Sequence, residues 1–146
     1  MHKGYIKTAA ILGVLAVIIG AFGAHKMKEF FSDYAVGIFE TGVRYHFYHV
    51  FALLAVGILY KEYPNKFIRW AGILFITGII LFSTSLYLLS IVKGFVQPGY
   101  GWLGAITPVG GACFIIGWVL LFFGIRKRTT VSLLLHANEE KTQIPF

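Results

Sequence analysis

Residues 67–92 read FIRWAGILFITGIILFSTSLYLLSIV, an apolar block whose single charge, Arg69, stands near its start. A helix rising about 1.5 Å per residue needs roughly 20 such residues to cross about 30 Å of hydrocarbon. Three more blocks flank it: Tyr5 to Ala24, Val43 to Tyr60, and Leu103 to Ile125. Lipid offers the backbone no hydrogen-bond partners, so each block is read as a helix. The second block is the shortest, and its crossing is expected to begin near Glu40.

Composition agrees with this reading. Of 146 residues, 58% are hydrophobic and 13% charged, against about a quarter charged in soluble domains. Mean hydropathy is +0.76. The net charge of +7 does not indicate a nucleic-acid partner, because the cations sit at block ends: Lys3, Lys7, Lys61, Lys66, Arg69, Arg126, Lys127 and Arg128. There they set orientation and meet anionic head groups. The bias favours both termini on the cytoplasmic side of the membrane. Lys3 and Lys7 before an apolar run also resemble a signal peptide, but the segment is expected to stay as an anchor. Cys113, the sole cysteine, lies in an apolar run and is read as a buried, inert thiol.

Between the first two blocks, Met27, Phe30, Phe31, Tyr34 and Ile38 recur at three- and four-residue spacing. Lys26, Lys28, Glu29 and Asp33 take the other side, which predicts a short amphipathic helix in the outer interface. The fold class is therefore all-α: an integral membrane four-helix bundle with that interfacial helix between the first two spans. Residues 1–128 form one transmembrane domain and 129–146 a polar, mobile tail. Gly94 to Gly101 reads as an irregular connector. Trp70 and Trp102 are expected at opposite interfaces.

Chemistry-bearing side chains concentrate in Phe39-Glu-Thr-Gly-Val-Arg-Tyr-His-Phe-Tyr-His49. Glu40 and Arg44 stand four apart, the favourable order for an ion pair on one helix face. His46 and His49 lie on another face, and His25 closes the first span. Three imidazoles at one depth could hold a metal or haem, but neither a carboxylate at ligand spacing nor a cysteine joins them. Neither metal nor cofactor is predicted. With N-in topology, His25, Glu40, Arg44, Tyr45 and His49 gather at the outer end, where a shared polar pocket is expected. Ala16, Gly20 and Ala24 make one stripe of small residues, and Gly110, Gly117 and Gly124 another; such stripes let helices approach closely. Thr107-Pro108 predicts a carbonyl without a partner and a bend, and Ser83, Thr84 and Ser85 can donate across the bundle.

Four strings carry a resemblance: Gly20 to His25 (GAFGAH), Glu40 to Tyr45 (ETGVRY) with Tyr48-His49, Ser83 to Tyr87 (STSLY), and Leu103 to Gly111 (LGAITPVGG). In this order they resemble an uncharacterised family of small four-span bacterial inner-membrane proteins, with a small mitochondrial transmembrane relative in animals. The resemblance covers roughly residues 5–125. It implies His25, Glu40, Arg44, Tyr45 and His49 as motif positions and brings no established activity. His46 departs from the pattern, which more often has Gln there.

The chain is thus expected to be a non-enzymatic accessory or scaffolding subunit. Its expected partners are membrane lipids and another membrane protein or a second copy of itself. A small transporter or channel with an outer-leaflet pocket is the first alternative, and a haem or metal redox protein the second.

Overall fold

The computed structural model describes residues 1–95 and 102–125. The expected connector beyond Phe95 and the expected tail lie outside the described residues. Four helices are long and apolar enough to span a membrane: Lys3–Phe22, Asp33–Leu59, Lys66–Gly94 and Trp102–Gly124. They are α1 (Lys3–Phe22), α3 (Asp33–Leu59), α4 (Lys66–Gly78) continued through a π turn (Ile79–Ser83) into α5 (Thr84–Gly94), and α6 (Trp102–Gly124). Among the described residues there is no strand.

Two ends can be told apart. One carries Lys3, Lys61, Lys66 and Arg69 and is called the basic end. The other holds the connection between α1 and α3, a π turn (Gly23–Met27) followed by the single-turn helix α2 (Lys28–Phe30). The short helical segment expected there is present, yet shorter than the aromatic periodicity suggested. Tyr34 and Ile38 belong instead to α3, which starts at Asp33 rather than near Glu40. Ser32 is the reason: its Oγ accepts from the Ala35 amide at 3.4 Å and starts a new helix.

The basic end is fastened by hydrogen bonds of backbone and side chains. The His2 amide donates to the Gly57 carbonyl at 2.8 Å, and the Tyr5 hydroxyl donates to the Arg69 carbonyl at 2.8 Å. Asn65 does two jobs. Its Oδ1 caps α4 through the Phe67 and Ile68 amides, while its Nδ2 donates to the Gly124 carbonyl at 2.8 Å. It thereby satisfies two starting amides and one terminal carbonyl that a helix cannot serve by itself.

Packing is sequential. Helix α1 lies on α3, α3 lies on α4 and α5, and α6 lies on α4, the second π turn and α5. Tyr5, Ala9, Val50, Leu53, Val56 and Phe75 belong to the main buried cluster. The stripe on α6 marks its contact with the third span. A Cβ on Gly110 would collide with the Phe82 backbone inside the π turn, and one on Gly117 would stand 2.7 Å from the Phe75 ring. On α1, a Cβ at Gly20 would stand 3.2 Å from Val43 Cγ1 on α3. Ser85 Oγ lies 2.8 Å from Thr107 Oγ1 on α6, a hydroxyl contact across the bundle. Trp70 and Trp102 are both exposed and begin helices at opposite ends. Helix α6 runs unbroken through Pro108. Cys113 is half-buried rather than enclosed.

Candidate functional site

Helix α3 carries nearly every candidate residue, and its geometry decides which of them can meet. Successive side chains turn by about 100°, so Glu40 and Arg44 share one face while Tyr45 and His49 share another. The structure follows this division. Glu40 and Arg44 line a crevice of about 200 Å³ with Gly20, Gly23, Phe39 and Val43, between α1 and α3. Tyr45 and His49 line a groove of about 540 Å³ with Tyr48, Phe114 and Trp118, between α3 and α6. His25 sits in the first π turn, is exposed, and is not among the residues lining either space. Of the five residues expected in one pocket, four are therefore divided between two sides of α3, and His25 lines neither space. Depth separates them as well. His49 lies about 24 Å along α3 from Asp33 and about 15 Å from Leu59, at ~1.5 Å per residue. That is deep in the span rather than at its outer end.

Glu40 and Arg44 share the crevice between α1 and α3, and Arg44 also bonds within its own helix. Its Nη2 donates to Thr41 Oγ1 at 3.2 Å, and the Thr41 hydroxyl donates to the Gly37 carbonyl at 2.9 Å.

His49 has the most complete set of contacts. Nδ1 lies 2.8 Å from the Tyr45 carbonyl, one turn back on the same helix, and Nε2 accepts from the Trp118 indole N–H at 3.3 Å. An indole nitrogen only donates, so Nε2 carries the lone pair and Nδ1 the proton. The ring also stacks on Phe114 with centroids 3.4 Å apart and planes 9° from parallel. The α3 and α6 backbones make few close approaches; these rings bridge the gap between them. Trp118 was not singled out by sequence reasoning. Its position gave no signal of this contact, since it lies only about 9 Å along α6 from Gly124, where belt tryptophans also stand.

His46 points elsewhere. Its Nδ1 lies 3.1 Å from the Tyr87 hydroxyl on α5, so the two neighbouring histidines serve different helices. Among the described residues, no three His, Cys, Asp or Glu side chains group so as to hold a metal ion. Beside Pro108 a shallow cavity of about 450 Å³ opens between Thr107, Gly104 and Phe82.

Four apolar spans, a polar seam on α3 and glycine contacts on α6 define a multi-pass α-helical membrane protein. The family model described as "Protein of unknown function (DUF423)" matches residues 19–111, and the chain belongs to this family. It is 41% identical to the UPF0382 membrane protein YwdK of Bacillus subtilis over 120 residues, 82% of this chain and 93% of that protein. It is 39% identical over 125 residues to a UPF0382 membrane protein of Staphylococcus aureus, covering 86% of this chain and 97% of the relative. A Haemophilus influenzae relative of the same description is 36% identical over 127 residues, 87% of this chain and 97% of that protein. No solved structure matches.

Proposed function

We propose that this membrane protein is a non-catalytic accessory or scaffolding subunit of the bacterial inner membrane, with both termini cytoplasmic. Its sides engage lipid or another membrane protein. The contacts of His49 carry the reading. Both ring nitrogens and one ring face of this buried imidazole are committed to Tyr45, Trp118 and Phe114. His49 thus ties α3 to α6 and leaves neither ring nitrogen open to a substrate. The outward surface is broadly apolar: Ile11, Val14, Val17, Ile18 and Phe22 on α1, and Ile115 and Phe122 on α6, are exposed. Such faces suit acyl chains or a neighbouring helix.

A transporter would need a water-lined path, whereas the groove beside His49 is walled mainly by aromatic rings. Haem ligation by His46 and His49 would require both rings to face one space, and they face α5 and α6. The test is affinity purification of the full chain from membranes in mild detergent, followed by identification of retained proteins and lipids. A discrete partner or lipid class is the expected outcome. Proteoliposomes of the pure chain that pass ions or small solutes faster than empty vesicles would overturn it.

A further inference from the structure

Helices α1, α3 and the α4–α5 span share one seam. Gly13 on α1 faces Val50, and Val50 lies in the same buried cluster as Ile79. One turn further from the basic end, the seam presents Ala16, His46 and Ser83, which are 0%, 4% and 1% exposed. The next contact along α3 and α5 confirms the register, because Gly42 packs against the Tyr87 ring and Leu86. His46 and Ser83 therefore occupy one layer of the interior.

Both carry a polar atom without a partner. His46 Nδ1 meets the Tyr87 hydroxyl, but His46 Nε2 and Ser83 Oγ are buried with no hydrogen bond. Inside a bilayer such atoms have no bulk water to turn to, and burying them bare is costly. Side chains on α5 tilt toward its N-terminus, which brings the Tyr87 hydroxyl down toward the Ser83 level. Ala16 and Ser83 bring only short side chains to this layer. The Leu12 carbonyl on α1 is a further polar group close to His46.

We propose that one water molecule resides in this layer, bridging His46 Nε2 to Ser83 Oγ. Together with the Tyr87 hydroxyl it forms a hydrogen-bonded chain inside the bundle. Buried waters make about two to four hydrogen bonds to otherwise unsatisfied groups, and Nε2 and Oγ supply the first two. Water both donates and accepts, so it serves either tautomer of His46. This site shares no residue with the His49 contacts on which the accessory-subunit reading rests.

The test is water-edited solid-state NMR on the full chain, labelled with ¹⁵N-histidine and reconstituted in phosphatidylethanolamine–phosphatidylglycerol bilayers. The His46 signals are assigned by their loss in His46→Gln. Magnetisation from water is expected to reach His46 Nε2 faster than His49 Nε2, which Trp118 occupies. In Ser83→Ala the advantage of His46 should shrink toward the His49 level, while Ser83→Thr, which keeps a hydroxyl, should retain it. Equal build-up at the two histidines in the unsubstituted protein would overturn the proposal. So would a build-up at His46 that Ser83→Ala leaves unchanged.

Discussion

At His49 a single ring joins a local hydrogen bond, an interhelical hydrogen bond and a stacking contact. His49→Phe keeps the ring and its stacking but leaves the Trp118 N–H without its acceptor. Trp118 is half-exposed to the apolar surroundings, and a donor left bare there costs roughly 1–3 kcal/mol, so stability to thermal unfolding in detergent should fall by about that amount. His49→Ala also opens a cavity and should cost more, about 3–5 kcal/mol. A His49→Phe protein as stable as the original would show that the Trp118 contact contributes nothing. At Arg44 the effect is smaller, because the site is exposed. Thr41→Val and Arg44→Gln should couple in a double-mutant cycle by no more than about 1 kcal/mol. His46, His49 and Ser85 were legible as polar residues in an apolar chain, and their partners were not. Tyr87, Thr107 and Trp118 lie 41, 22 and 69 positions from the residues they contact, and no local spacing encodes those distances.

Among the elements, α6 shows best how a pattern becomes a contact. Its glycines at seven-residue spacing were visible as one stripe, and close packing followed from their size. What they pack against is a π turn, where the Phe82 backbone comes within van der Waals reach of Gly110. Gly110→Ala should therefore separate α6 from the third span. Overpacking of this kind costs typically 1–3 kcal/mol, roughly speaking, and a matching loss is expected in detergent unfolding. Gly104 lies on the same helix with nothing within 4 Å of an added Cβ. Gly104→Ala should leave stability unchanged within about 0.5 kcal/mol. Equal effects at the two positions would remove the contact as the explanation. The connection between α1 and α3 shows the limit of periodicity: Met27, Phe30, Phe31, Tyr34 and Ile38 fit one helix on paper. Ser32 divides them, since an N-cap starts a helix whatever the apolar spacing continues to suggest.

For the whole molecule, orientation is the property most open to test. Lys61, Lys66 and Arg69 share the basic end with Lys3 and Lys7, so the positive-inside rule predicts that this end faces the cytoplasm. A reporter fused after residue 128 should be active only as a cytoplasmic fusion. Activity confined to a periplasmic reporter would invert the topology and place the α1–α3 connection inside.

The sequence by itself determined that this chain lives in a membrane and how many times it can cross. Those properties depend on unbroken apolar length and on where the cations stand, and both are local. It also picked out the glycine stripe of α6 as a helix contact, because size limits approach whatever the partner is, but not the equally close contacts of Gly42, Gly57 and Gly72. The tertiary structure alone decided the neighbours: α1 against α3, α6 against the π turn, and the candidate residues of α3 shared between opposite sides. Lipid solvates every apolar face about equally, so hydrophobicity cannot rank one face over another. Steric fit and a few polar contacts make that choice, and both depend on residues distant in the chain.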